Sequence, residues 1–222
     1  MAKGQQPGKW VELFNGEDLS GWRARGEHEW LVAGGVSLKP DNAKQFAIAE
    51  GTGIFVNGEG GRTRDLFTEY QHGDCELHIE FVVPKGSNSG VYLMGHYEIQ
   101  VLDSWGVEEP KYSDCGGIYC QWIDNKAVGG RPPNENASRP PGEWQEFDVI
   151  FRAPRFDEAG NKTANARFEK VVHNGKVIHE NVEVGGPTRA SMPGPERARG
   201  PLMLQGDHGP VAYRNVRIRP LD

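Results

Sequence analysis

The 222 residues include 30 Gly and 15 Pro, so about one position in five breaks regular structure and a mostly helical protein is excluded. With 25 Lys+Arg against 31 Asp+Glu the net charge is −6, which lacks the basic footprint of a nucleic-acid partner. No apolar run approaches the ~20 residues that cross a bilayer as a helix, so no membrane-spanning segment is expected.

Residues 1–9 are expected to be a disordered N-terminal segment, and 10–222 one domain, because β-sandwiches of 200–250 residues commonly fold as a unit. No apolar 3.6-residue period lasts three turns; at most a short helix or 3₁₀ turn is expected near Asp18–Trp22. Period-two alternation, the mark of a half-buried strand, then recurs. In Asp74–Phe81, Cys75, Leu77, Ile79 and Phe81 share one face. In His96–Leu102, Tyr97, Ile99 and Val101 oppose His96, Glu98, Gln100 and Leu102. Asp124–Gly142 reads as a long proline-bearing loop, followed by alternation of Phe147, Val149 and Phe151. Ala166–His173 and Val177–Glu180 flank Asn174-Gly175-Lys176, a strong hairpin signal because Asn and Gly tolerate positive φ. Gly185–Gly200 is a second long loop, rich in Pro, Gly and Arg, and the chain closes with strands over Pro201–Gln205 and Val211–Arg219 around a Gly206–Pro210 turn. Long loops in a compact domain tend to be functional or disordered, and these two could wall a cleft at one end or face of the sandwich. Strands with one polar and one apolar face, joined by Gly/Pro turns, predict two packed antiparallel sheets in an all-β sandwich of jelly-roll type.

A chain of this length buries roughly 70% of its unfolded surface, so it needs no metal or disulfide to fold. Three cysteines, Cys75, Cys115 and Cys120, are too few for a disulfide framework. Cys115 and Cys120 read as small buried residues, with pairing across the intervening turn as the alternative.

The segment richest in chemistry is Tyr97–Trp105. Glu98 and Gln100 share a strand face, while Asp103 would point into the apolar layer, where an ionised carboxylate is costly. A β-bulge at Val101 or Leu102 would return Asp103 to the polar face and make a row of two carboxylates and an amide, suited to acid/base work. The same residues would equally serve as a solvated strand end. Upstream, Pro84–Tyr92 offers Lys85, Asn88 and Tyr92 as substrate-binding candidates beside glycines that allow close backbone approach; a surface turn is the plain alternative. Asp207-His208-Gly209 supplies a possible base, and Trp105, Trp122 and Trp144 possible sugar-stacking rings. Dinucleotide, P-loop, zinc-protease and nucleophilic-serine motifs are missing.

Several blocks carry a resemblance to a known family. Leu13-Phe14-Asn15-Gly16-Glu17-Asp18-Leu19-Ser20-Gly21-Trp22, Glu76–Phe81, Lys85–Tyr92, Tyr97–Asp103 and Gly142-Glu143-Trp144-Gln145 resemble the bacterial 3-keto-disaccharide hydrolase domain, over about Trp10 to Leu221. The resemblance implies a concanavalin-like jelly roll acting on carbohydrate. It also implies an exported, periplasmic or secreted protein; Met1–Pro7 has no apolar signal core, so either a signal is absent from this sequence or the protein is cytoplasmic. Laminarinase-type glycoside hydrolases are a more distant likeness: their Glu-x-Asp-x-x-Glu spacing is met by Glu98-Ile99-Gln100-Val101-Leu102-Asp103, but with an amide in the middle and a shorter last acid, which disfavours double displacement. A 3-keto sugar offers β-elimination instead. The expected roles are Glu98 or His208 as base, Lys85 or Asn88 at the enolate oxygen, Asp103 as acid and Gln100 as orienter, with Trp105 and Asp207 contacting substrate. No cofactor is required by this scheme, although a divalent metal could replace Lys85. A non-catalytic carbohydrate-binding module on the same fold is the rival reading, and a purely structural domain a third.

Overall fold

The computed structural model describes residues 8–221. Seventeen strands and no helix occur among these residues: β1 (Val11–Glu12), β2 (Trp22–Ala24), β3 (Leu31–Lys39), β4 (Asn42–Val56), β5 (Leu66–His72), β6 (Cys75–Val82), β7 (Asn88–Leu93), β8 (Tyr97–Leu102), β9 (Gln121–Ile123), β10 (Lys126–Val128), β11 (Gln145–Arg152), β12 (Arg155–Phe156), β13 (Lys162–Ala164), β14 (Ala166–His173), β15 (Lys176–Val184), β16 (Gly200–Leu204) and β17 (Ala212–Pro220). No helix is therefore long and apolar enough to cross a membrane. The larger sheet runs β15-β14-β11-β6-β17-β4-β3 with β1 on β17, and the smaller runs β2-β5-β16-β7-β8. All pairings are antiparallel, which makes the molecule the expected all-β jelly-roll sandwich. Most of the segment expected to be disordered, residues 1–7, lies outside the described residues, whereas the Gly8 N–H already bonds the Pro220 carbonyl at 2.9 Å.

Alternation produces the core directly. Leu77, Ile79 and Phe81 of β6 and Phe147, Val149 and Phe151 of β11 face inward, against Val91, Leu93, Tyr97, Ile99 and Val101 of β7 and β8 and Leu202 and Leu204 of β16. Each such side chain contributes about 1.5–3 kcal/mol when removed from water. Asn174 and Gly175 both take positive φ, 50° and 80°, as the β14–β15 hairpin requires. Cys75, Cys115 and Cys120 are buried and form no disulfide with one another, so the two later cysteines are packing residues.

Three local points correct or extend the sequence pattern. Asp18–Trp22 is not helical. The Asn15 Oδ1 accepts the Glu17 and Asp18 N–H groups at 2.8 and 2.9 Å, the Asp18 carboxylate accepts the Ser20 N–H, and the Trp22 indole donates to the Leu13 carbonyl at 2.6 Å. These side-chain bonds offer the backbone an alternative to helix and plug Phe14 and Trp22 against Phe55. Second, the strands around 206–210 belong to different sheets, β16 to the smaller and β17 to the larger, so that loop crosses between layers. Third, β3 and β4 form a long hairpin that alternation does not mark. Its glycines permit a close backbone crossing: a Cβ on Gly34 would lie 2.5 Å from the Glu50 carbonyl oxygen, and one on Gly51 2.9 Å from the Gly34 Cα.

Candidate active site

The smaller sheet has a second face, turned away from the core, and loops wall it into a cleft of about 370 Å³. Its floor is the β7–β8 pair, whose register sets Tyr92 opposite Glu98, Gly90 opposite Gln100 and Asn88 opposite Leu102. Period two sends Asn88, Gly90 and Tyr92 of one strand and Glu98 and Gln100 of the other to the cleft. His208 enters from the 206–210 loop. Asn88, Tyr92, Glu98, Gln100 and His208, separated by up to 120 positions in sequence, thus converge.

Glu98 is 3% exposed. Burial pushes its carboxyl up to about 8, its hydrogen bond with Tyr92 works in the opposite direction, and the Asp65 carboxylate adds to the rise. At neutral pH the group is therefore mostly protonated, an acid in a polar cleft. Gly90 makes room for it, since a Cβ there would run into the Glu98 carboxylate and the Tyr92 ring. The close approach permitted by this glycine is to Glu98. The Gln100 amide nitrogen donates to the Ser113 carbonyl at 3.2 Å, which fixes the side chain. Its Oε1 is buried without a protein partner among the described residues.

The His208 ring stands 2.5 Å from the Asp207 carboxylate through Nδ1, so Asp207 orients the imidazole. Its backbone carbonyl accepts from Arg62, and Asp207 does not line the cleft as a substrate contact. Fully buried Asn57 anchors the loop: its amide donates to the Gly206 and Gly209 carbonyls at 3.0 and 2.8 Å and its Oδ1 accepts the Val211 N–H at 2.8 Å. Asp65, just before β5, accepts the Gly206 N–H at 3.0 Å; burial raises its pKa, as does the Asp207 charge.

The bulge expected at Val101–Leu102 is absent. β7 and β8 pair without a shift through Leu102, and the Asp103 N–H continues the ladder to the Ser87 carbonyl at 3.0 Å. The strand ends there, so Asp103 is spared the apolar layer without any bulge. Its carboxylate caps the preceding turn, accepting the Gly86 N–H at 2.8 Å, and it takes no part in the cleft. The second carboxylate acting on Glu98 is Asp65. Lys85 is exposed on the same turn and also lies off the cleft. Trp105 is 58% exposed and outside it as well. Trp144 lies under the Arg214 guanidinium on the other sheet.

Sequence reasoning missed Asp65, Asn57, Tyr119 and Arg189. Residues 116–119 run beside β8, with the Tyr119 N–H bonded to the Glu98 carbonyl at 3.1 Å, and this places the Tyr119 ring at the rim. The Gly185–Gly200 loop supplies the facing wall, as expected, while Asp124–Gly142 does not. Thr188 accepts the Glu98 N–H at 3.2 Å, and the Arg189 guanidinium stacks 4.2 Å from the Trp122 ring at the cleft edge. Among the described residues, the acid and histidine atoms near enough to share an ion are those of His78, Glu80 and Glu146, on the outer face of the larger sheet; Glu98, Asp103 and His208 form no such group.

The chain matches the family described as the 3-keto-α-glucoside-1,2-lyase-like domain over residues 9–219. It belongs to that family. A curated relative, the 3-keto-disaccharide hydrolase of Bacteroides thetaiotaomicron, is 25% identical over 96% of this chain and 79% of its own length. Among solved structures, a Parabacteroides distasonis protein provisionally named a glycosyl hydrolase is 30% identical, with a TM-score of 0.69 over 96% of this chain and 89% of the other. A second P. distasonis protein, 21% identical with a TM-score of 0.59 over 96% and 99% of the two chains, shares the fold.

Proposed function

We propose that this family member cleaves the C1–O bond of 3-keto-glycosides by β-elimination followed by hydration. The observation that carries the reading is Glu98, a buried carboxyl held protonated near neutrality in a cleft that also holds an oriented histidine. The name of the B. thetaiotaomicron relative supports the substrate class.

The C3 ketone acidifies the proton on C2. In this reading His208, held by Asp207, removes that proton, and the electron pair moves into a C2–C3 enolate whose oxygen faces Arg189 and Asn88. The enolate collapses, re-forming the C3 carbonyl and a C1–C2 double bond as the C1–O bond breaks. Glu98 delivers its proton to the departing oxygen. Water then adds: Glu98 takes a proton from it as its oxygen bonds C1, His208 returns a proton to C2, and both groups regain their starting states. Gln100 Oε1 accepts from a ring hydroxyl and fixes the sugar. Relative to the sequence expectation, the acid role passes from Asp103 to Glu98 and the electrophile role from Lys85 or a metal to Arg189. Positioned acids and bases usually contribute about 10²–10⁴-fold each, and preorganised donors at a developing oxyanion a comparable amount.

The test offers a 3-ketoglucoside and its parent glucoside in deuterated water, with the released sugar alone as a control for spontaneous exchange. The reading predicts cleavage of the keto sugar only, with enzyme-dependent deuterium at C2. Cleavage without label would favour direct displacement at C1, and binding without cleavage of either sugar would favour a carbohydrate-binding module.

A further inference from the structure

The Gly185–Gly200 loop does more than wall the cleft. Arg189 and Ala190 line the cleft, while Met192, Pro193, Gly194 and Pro195 roof a separate cavity of about 240 Å³ that shares no lining residue with it. Met192 sits between them, packed on Phe67, Tyr92 and Met203 of the sheet. Four arginines line this second cavity, Arg23 from β2, Arg25 just beyond it, and Arg197 and Arg199 from the loop, and no carboxylate does. That concentration runs against a chain of net charge −6. Among the described residues Arg23, Arg25 and Arg197 have no carboxylate partner; Arg25 lies over the Phe67 ring at 5.1 Å, and Arg199 is anchored to the Gln71 carbonyl at 2.9 Å. Some arginines elsewhere in the fold are paired with carboxylates, as Arg152 and Arg155 are with Asp74 and Arg214 is with Glu80.

A second observation refines the ligand. His96 lines the same cavity, is 2% exposed, and its Nδ1 has no partner among the described residues. Burial keeps the ring below the usual histidine range, an effect that the neighbouring Pro195 carbonyl partly offsets. A neutral imidazole carries one nitrogen that donates and one that accepts. An acceptor repels a bare oxyanion but takes a hydroxyl, whereas guanidinium forks match a carboxylate. The geometry points to a second binding site, distinct from the cleft, for an acidic sugar: its carboxylate meets Arg23, Arg25 and Arg197, and one of its hydroxyls donates to His96. The site stands on residues that play no part in the elimination scheme.

The experiment uses the intact chain, a glucuronate-containing disaccharide, its neutral glucose counterpart and sodium sulfate, with calorimetry for affinity and imidazole NMR signals for location. The site predicts salt-sensitive binding of the acidic disaccharide that shifts the His96 ring signals more than those of His208. The double variant R25Q/R197Q, which alters two exposed side chains, should weaken it by about tenfold or more, since charge-assisted bonds are lost. Equal binding of the neutral disaccharide, unaltered affinity in R25Q/R197Q, or sulfate binding as tightly as the sugar with an unmoved His96 signal would each overturn the proposal.

Discussion

Two faces of this sandwich point away from the shared core, and they carry the same residue types in opposite electrostatic states. On the outer face of the larger sheet the charges are paired in rows: Glu80 with Arg214, Glu76 with Arg219, and His78 with Asp148 at 2.7 Å. Burial disfavours the Glu80 charge, but hydrogen bonds from Asn215 and Arg214 hold its pKa below the ordinary value, and the Asp148 bond raises that of His78. Both groups are stabilised in their charged forms. On the cleft face of the smaller sheet Glu98 is more deeply buried and meets a tyrosine and a second carboxylate in place of a cation, so its pKa moves the other way. A paired carboxylate is a structural part, and a buried unpaired one retains a proton that chemistry can use.

Substitution should separate the faces sharply. Glu98→Gln preserves shape and is expected to lower turnover about 10²–10⁴-fold with the fold intact by circular dichroism. Glu80→Gln on the opposite face should leave turnover near wild type while costing about 1–3 kcal/mol in a denaturant melt, the usual range for removing a charge-assisted bond. Comparable kinetic losses in both variants would dissolve the distinction. His208→Ala should follow closely behind Glu98→Gln, with a loss of about 10²-fold or more in turnover. Gly90→Ala comes next. Its methyl group would displace the Glu98 carboxyl, and a misplacement of about 1 Å costs on the order of 10²-fold.

The pH dependence sharpens the contrast further. Glu98 has an ordinary value of 4.5 and a folded-state value of about 8, so between those limits the native protein holds a proton that the unfolded chain has released. Stability contributed by this group is therefore present at low pH and declines as pH rises from about 4.5 to about 8. Chemical denaturation across that range should show the decline in wild type and a flatter profile in Glu98→Gln. Turnover should fall above pH 8 if Glu98 is the acid, whereas a turnover that rises through 8 would reassign it as the base. The smallest effect is expected at Asp103. Asp103→Asn removes a turn cap worth about 1 kcal/mol and should leave turnover within about twofold of wild type, as for a residue outside the site.

How much of this was legible in the sequence follows from the physics of each element. β6, β8, β11 and the Asn174-Gly175 hairpin are local patterns, and the structure keeps them. The β3–β4 hairpin is invisible because its glycines serve a backbone crossing, an effect with no local signature. Glu98, Gln100, Asn88, Tyr92 and His208 were readable because each stands in a strand or turn whose facing can be inferred. Asp65, Asn57 and Arg189 were not, because their roles arise only when β5, the 206–210 loop and the 185–199 loop meet over one sheet. Asp103 departs from its expected place for a simpler reason: ending the strand at Leu102 keeps its charge out of the apolar layer without the bulge that the cost of burial suggests.

The most direct test of the account is a ¹³C titration of the glutamate side-chain carboxyls in the folded protein, with Glu98→Gln to assign the signal. A carboxyl that titrates near 8 and vanishes in the variant is the predicted result. If every glutamate titrates in the ordinary range near 4.3, Glu98 is ionised at neutral pH, it has no proton to deliver to a leaving oxygen, and the assignment of the cleft fails.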